Sequence, residues 1–393
     1  MRLDTVPNIA KYLSLVFMLT WLGSNTVWMF LPIFFEQNIQ NVFLVGVLTS
    51  LPPLIALLLD IPMGNLVQRA GEKVVIFTGL VVQLLPGLFY LTGLPLLIVV
   101  GRGLEGVVKS MIWNGGWTLS LRSGNESNES ETQSVFLLGA NLAAVIGPVV
   151  GGLLIASRGF EITFALWIFT AWLSVIVFYL YIGLEGKKGF VSSIEELFER
   201  KTYADDFSDL KENWSNVRLP LFLIFLYSIV FTFFWLAIPL LLDEMGADYV
   251  LMGVVFGLAA LPSIFQFAFG DWADRIGRIK AISILSLLLT PVLFLMSFIE
   301  SIYVLAVFFL VSRLLSSGIS PALHGFYDSC VPDEVEGEMT GFLEFFKHIG
   351  QSLGPIMAGT VASIWSISAS FLFASFIALT VFHGISILRF RQK

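Results

Sequence analysis

Apolar residues run along this chain in blocks separated by short polar clusters. A helix rises 1.5 Å per residue, so about 20 apolar residues cross a hydrocarbon layer of ~30 Å. Twelve blocks reach that length: Tyr12–Phe35, Phe43–Met63, Val74–Leu94, Leu96–Leu119, Val135–Ala156, Ile162–Ile182, Leu219–Leu242, Val250–Phe269, Ala281–Ile299, Ile302–Leu323, Met339–Ile364 and Ser368–Leu388. The joints at Leu94 to Leu96 and Ile299 to Ile302 are tight, but a merged run of about 40 residues is too long for one crossing. Pro52, Pro53, Pro86, Pro148 and Pro355 fall inside blocks, which a bilayer helix tolerates where neighbours satisfy the freed carbonyls. The first block is read as a retained span, because its apolar run is too long for a signal peptide and has no small-residue cleavage site. The pattern predicts an all-α integral membrane protein of twelve transmembrane helices. Residues 1–183 form one six-helix bundle, 184–218 a polar linker, partly helical at the membrane surface, and 219–393 a second six-helix bundle.

Composition narrows the function classes. Charged residues make up 13%, against roughly a quarter in soluble domains; 56% are hydrophobic, and mean hydropathy is +0.86. A soluble enzyme is excluded. A net charge of −7 without a basic stripe excludes nucleic acid as a main partner. The single cysteine, Cys330, excludes an intrachain disulfide and a cysteine-based metal site. No GxxxxGK[ST] loop, triad spacing or HExxH occurs, so no cofactor and no enzymatic activity are expected, and an ion gradient is a better energy source than ATP. With an internal N-terminus, seventeen of the 22 Lys and Arg fall on the inner side and only Arg158 on the outer. This asymmetry places both termini in the cytoplasm of a cell-membrane protein.

The chain is written twice. At a shift near 207, Trp28 and Pro32 recur as Trp235 and Pro239, Gly46 as Gly253, Arg69 and Gly71 as Arg275 and Gly277, and Lys73 as Lys280. Gly147, Pro148 and Gly152 recur as Gly354, Pro355 and Gly359, and Arg102 finds Arg313 at a shift of 211. Two halves in the same orientation are related by an axis along the membrane normal, and a site between them can open to each side in turn by rocking.

These residues carry a resemblance to the major facilitator superfamily over essentially the whole chain. Gly270, Asp271, Asp274, Arg275, Gly277, Arg278 and Lys280 match that family's cytoplasmic loop signature GxxxDRxGRxK. Gly64, Arg69, Gly71 and Lys73 form the first-half copy, which departs at Gln68, at Glu72 and in the early Lys73. Both loops are expected to act as latches for one conformation, the first weaker because it lacks its acid. In span 5, Gly139, Gly147, Pro148, Gly151 and Gly152 resemble the antiporter signature GPxxGG, a packing motif associated with the drug:proton antiporter branch. The resemblance implies a secondary transporter exporting small amphipathic or lipophilic compounds against protons, working as a monomer in the lipid bilayer. Import of a sugar or organic anion by symport or facilitated diffusion is the alternative, and a substrate-gated channel or receptor a more distant one.

Seven charges lie within spans: Asp60, Arg102, Glu105, Lys109, Arg313, Glu344 and Lys347. Each costs ~2.5–3.5 kcal/mol at membrane depth and needs a partner or a role. Arg102, Glu105 and Lys109 share one helix face. The segment Arg102–Gly106 resembles the family's RxxQG motif with Glu105 at the Gln position, which implies an Arg involved in proton coupling. Glu105 is either the proton carrier or a neutralising partner that lets the helix insert. Asp60 is expected to cap the first latch with Arg69 or Lys73, its rival role being a second proton site. Glu344, Lys347, His348 and Gln351 form a stripe on span 11, read as an internal gate. Asn25, Trp28, Tyr227, Trp235, Arg313, Ser317 and His324 are cavity candidates, since the resemblance turns spans 1, 4, 7 and 10 towards a cavity. The arginines either bind an anionic substrate or serve as conformational counterions beside aromatic walls that take amphipathic compounds.

Overall fold

A computed structural model describes residues 6–124, 129–184, 204–332 and 336–391; the expected linker lies outside them from 185 to 203. Every regular element among the described residues is helical. α1 (Asn8–Asn25), a 3-10 turn (Trp28–Phe30) and α2 (Leu31–Ile39) make the first span, α3 (Val42–Ala70) the second, and α4 (Glu72–Val82) with α5 (Leu84–Leu91) the third. The fourth to sixth are α6 (Pro95–Ser123), α7 (Glu129–Arg158) and α8 (Glu161–Tyr181). α9 (Ala204–Glu244), α10 (Tyr249–Ile264) with α11 (Gln266–Ile276), α12 (Arg278–Met296), α13 (Ile302–Asp328), α14 (Glu336–Ile364) and α15 (Ala369–Arg391) follow in order.

Eight of these spans are long and apolar enough to cross a membrane, nine with the bent pair α10 and α11. α6 and α14 have 29 residues each, but their apolar surface is interrupted by the charges read from the sequence. The last helix contributes an apolar stretch over Ala369–Gly384.

Three boundaries differ from the sequence pattern. The first span breaks after Asn25, where the Asn25 amide donates to the Trp21 carbonyl (2.8 Å) and the Thr26 hydroxyl to that of Gly23 (2.6 Å). Such back-bonding competes with the helix ladder and bends it. The third span breaks at Gln83, which puts Pro86 in the first turn of α5, where a missing N–H costs nothing. The end of the expected linker, from Ala204, runs unbroken into the seventh span as one helix of 41 residues.

Contacts divide the described chain into two compact units. The first holds α1, α3 from Leu58, α4 to α8, and Tyr249–Gly257 of α10. Within it α1 lies along α7 and α8, and α4 and α5 along α6. Leu13, Phe17, Ile76, Ile112, Phe136 and Phe178 form its core. The second unit holds α2, the start of α3, α9, the rest of α10, and α11 to α15. Within it α9 lies along α14 and α15, and α12 along α13 and α15, around Phe234, Phe309 and Phe371. Spans one and five, one and six, and three and four therefore pair as seven and eleven, seven and twelve, and nine and ten do. The packing repeats with the sequence.

The glycines of the α7 signature sit where helices approach closely. In α7, Gly139 receives Ser14 and its N–H donates to the Ser14 hydroxyl (3.0 Å), while Gly147 faces Asn25 and Gly151 faces Thr26. Gly152 on the opposite side meets Tyr249 and Gly253 of α10, and Gly253 rests on the Pro148 carbonyl. The second unit repeats this: Gly359 faces Gly46 of α3, and a Cβ on Gly46 would lie 2.5 Å from the Pro355 carbonyl.

Candidate functional site

The charged cluster of the first unit is built by the hairpin of α5 and α6. Pro95 opens α6, and two turns later Arg102 and Glu105 fall on one face. Arg102 Nη1 donates to Glu105 Oε2 at 2.6 Å, with side chains only 3% and 10% exposed. The Tyr90 hydroxyl donates to the other carboxylate oxygen. Tyr90 is held by Phe164 and Trp167 of α8, at ring separations of 5.4 and 5.9 Å, and Gly101 leaves room for its ring. The carboxylate thus has one cation and one neutral donor in a nearly dry setting. Lys109 is half-buried further along the same helix.

Asp60 faces α6. Its Oδ1 accepts from the Ser110 hydroxyl at 2.6 Å and from the Asn114 amide at 3.4 Å. Ser110 and Asn114 were not singled out from the sequence, although their i, i+4 spacing on the helix carrying Arg102 was a usable signal.

The two expected latches share their geometry and differ in charge. Gly71 (φ 98°) and Gly277 (φ 93°) occupy the left-handed region, which ends one helix and starts the next without a Cβ clash. Arg69 and Arg275 each lie in the last turn before it. Gly64 and Gly270 have open space around them. Asp271, Asp274 and Arg275 are exposed. Arg278 Nε donates to Asp274 (2.6 Å), and its Nη1 donates to the Gly325 carbonyl near the end of α13. Lys73 stands half-buried in the first turn of α4. Beside it Glu72 accepts from Arg122 at the end of α6 (2.7 Å).

A cavity of about 470 Å³ lies within the second unit, lined by α9, α10, α11, α13 and α14. Tyr227, Arg313, Ser317 and His324 line it, together with Lys347 and Gln351 from the expected gate stripe. The Tyr227 hydroxyl donates to the Ser316 carbonyl (2.7 Å). The Arg313 guanidinium stands 4.4 Å over the Phe231 ring, and Trp235 meets the same ring edge-on at 5.8 Å. His324 Nδ1 is 2.7 Å from the Ser320 carbonyl; an oxygen acceptor there makes Nδ1 the protonated nitrogen. Glu344 accepts from Lys347 with both oxygens at 2.8 Å, and His348 Nε2 lies 3.9 Å from it. Asn25 and Trp28 belong to the first unit, at the break of the first span. Phe231 and Pro262 also line the cavity and were missed, because aromatic and apolar residues read equally well as lipid-facing; Gln266 lines it too.

The profile of the Major Facilitator Superfamily matches residues 13–263 and 220–392. A curated relative, the "Uncharacterized MFS-type transporter YuxJ" of Bacillus subtilis (strain 168), is 26% identical over 280 residues, covering 68% of this chain and 67% of the relative. Among solved structures, the human organic anion transporter MFSD10 (TETRAN) superposes with a TM-score of 0.68 at 17% identity, over 96% of this chain and 98% of that one. A structure of the nucleoside transporter NupG superposes at 0.75 and 13% identity, over 97% and 99%. A POT family transporter in complex with a thioalcohol-conjugated peptide reaches 0.72 at 12% identity, over 99% of both chains.

Proposed function

The chain belongs to the major facilitator superfamily, and from that premise we propose that it exports small amphipathic compounds by alternating access in exchange for protons. It is a multi-pass membrane transporter, and its solved neighbours are named for organic anions, nucleosides and peptides. One fold carries many cargoes, so the site has to supply the details. The proposed orientation has both termini in the cytoplasm of the cell membrane, on the asymmetry of Lys and Arg, and the unit of function is one chain. Export rather than import rests on the resemblance of Gly147 to Gly152 to the antiporter motif.

The observation that carries the proton role is Glu105, a nearly buried carboxylate on α6 between Arg102 and the Tyr90 hydroxyl. Its charge is balanced while the site is dry. When water or substrate draws Arg102 away, Glu105 accepts a proton, and reforming the pair expels it on the other side. Asp60, which accepts from Ser110 and Asn114 of α6 among its contacts, is the second candidate. The latches at Gly71 and Gly277 are assigned to holding one conformation.

The test is transport into proteoliposomes of an amphipathic dye, anilinonaphthalene sulfonate, with wild type and Glu105→Gln. Expected is loss of pH-driven accumulation with retained exchange of labelled for unlabelled dye. Unchanged pH-driven accumulation in Glu105→Gln removes this carboxylate from the mechanism, and no dye exchange in wild type removes the exporter reading for these compounds.

A further inference from the structure

The cavity of the second unit carries an imbalance of charge that the corresponding helix of the first unit lacks. Arg102 and Arg313 are counterparts in the duplicated sequence. Three residues after Arg102 stands Glu105, paired with it at 2.6 Å; three residues after Arg313 stands Ser316. Among the described residues no carboxylate lies within ion-pair distance of the Arg313 guanidinium. What it has is the face of Phe231 at 4.4 Å and a long 3.5 Å bond from Nε to the Ala259 carbonyl. The lining adds Lys347 and His324 and contains no Asp or Glu. Lys347 already has its counter-charge in Glu344.

A cation held at membrane depth without a counter-ion is costly, and an aromatic face offsets only part of that cost. Arg313 presents a planar fork that fits a carboxylate with two parallel N–H donors. Ser317, Ser320 and Gln351 border the same space with neutral polar groups, the Ser317 hydroxyl already donating to the Leu314 carbonyl (2.7 Å), while Phe231, Pro262 and Leu323 offer apolar wall. The volume, about 470 Å³, lies within the range of small-molecule sites.

We propose that this cavity binds amphipathic organic anions, the carboxylate on Arg313 and the ring or aliphatic body against Phe231 and Pro262. The cargo role of such an anion rests on the transport reading above; its binding does not. A cationic solute of the same shape meets Arg313 and is rejected. A neutral one fills the apolar part and leaves Arg313 as it was.

The experiment uses three isosteric probes, naphthoate, naphthamide and naphthylmethylammonium, titrated against purified full-length protein in nanodiscs and followed by tryptophan fluorescence. Naphthoate is expected to bind about tenfold or more tighter than naphthamide, the ratio typical of a charge-assisted hydrogen-bonded pair, and the ammonium weakest. Arg313→Gln is expected to erase the difference between acid and amide, Arg313→Lys to keep part of it, and Ser317→Glu, which adds a carboxylate one turn from Arg313, to reverse it. Equal binding of the three, preference for the ammonium, no binding of any, or an acid preference that survives Arg313→Gln overturns the proposal. If Arg313→Gln does not fold, Arg313→Lys and Ser317→Glu decide on the same criteria. Arg313-dependent naphthoate binding without counterflow leaves the site standing and sinks the transport reading, whereas counterflow of neutral or cationic solutes without naphthoate binding does the reverse.

Discussion

Gly151 of α7 lies so close to Thr26 that a Cβ on it would overlap the Thr26 carbonyl oxygen. The obstacle is backbone at the break in the first span and cannot swing aside. Gly151→Ala is therefore expected to destabilise the first unit by about 3 kcal/mol, the upper part of the overpacking range, with a lowered melting temperature in detergent. Gly64→Ala is the control, since nothing lies within 4 Å of its Cβ position; a helical Gly→Ala change there is expected to be neutral or stabilising by about 0.5–1 kcal/mol. Equal melting of the two variants would refute the packing account.

Glu72 and Arg278 occupy the same place after their left-handed glycines and bridge to the same kind of target, the C-terminal end of the fourth or tenth span, with opposite charge. Glu72 accepts from Arg122, and Arg278 donates to Gly325. The departure of Glu72 from the family's basic residue is thus matched by a cation on the other side of the contact. With Arg122 46% exposed, the pair is worth only about 0.2–1 kcal/mol. A thermal double-mutant cycle is expected to show Glu72→Arg losing that amount and the swap Glu72→Arg with Arg122→Glu restoring it. No coupling between the two sites would count against the bridge.

The pair of Arg102 and Glu105 is buried on both sides, so removing one partner is much worse than removing both. Arg102→Gln leaves a carboxylate without its cation and is expected to cost about 3–5 kcal/mol. Arg102→Gln with Glu105→Gln is expected to recover most of that loss in thermal unfolding. Should the double variant melt lower than Arg102→Gln alone, the two residues do not act as a neutralising pair.

These relationships differ in how far the sequence announced them. Arg102 and Glu105 are three residues apart, so helical geometry alone puts them together. Glu72 and Arg122 are 50 apart and meet only because α4 packs on α6. Tyr90 was the one tyrosine of its span, yet its hydroxyl acquired meaning only when the turn after Thr92 folded α5 onto α6. The spans were legible because hydrocarbon thickness fixes their length. The break after Asn25 was not: Gly23 and Ser24 stand just before it, but other glycines lie inside unbroken helices, and the back-bonding of Asn25 and Thr26 shows only in the fold. Phe231 escaped notice for a related reason: a phenylalanine under a guanidinium looks, in sequence, like one facing lipid.

Cys330 gives a reporter for the end of α13. It lies just beyond the helix and is partly buried, and burial pushes its thiol above the ordinary range, with the neighbouring Ser329 hydroxyl opposing only in part. The thiolate is the reactive form. Maleimide labelling at neutral pH is expected to be slower than that of a free thiol such as glutathione, and to rise about tenfold per pH unit until the thiol titrates. As the chain has one cysteine, the rate belongs to this position. Labelling as fast as glutathione, or flat with pH, would contradict a desolvated thiol.

Exchange of one proton for one monovalent anion has an electrical consequence. A proton entering and an anion leaving each move positive charge inward, so two charges cross per cycle. At ~2.3 kcal/mol per charge per 100 mV, the potential supplies ~4.6 kcal/mol, about a thousandfold in gradient. Exchange of a proton for a monovalent cation moves no net charge. In proteoliposomes with pH equalised, an inside-negative potassium diffusion potential is expected to accelerate naphthoate efflux. The acceleration is expected to vanish in Arg313→Gln, which loses the anion, while Glu105→Gln, which keeps the anion site and loses the proton, retains exchange without it. Naphthoate efflux indifferent to potential would exclude this stoichiometry even with the binding site intact.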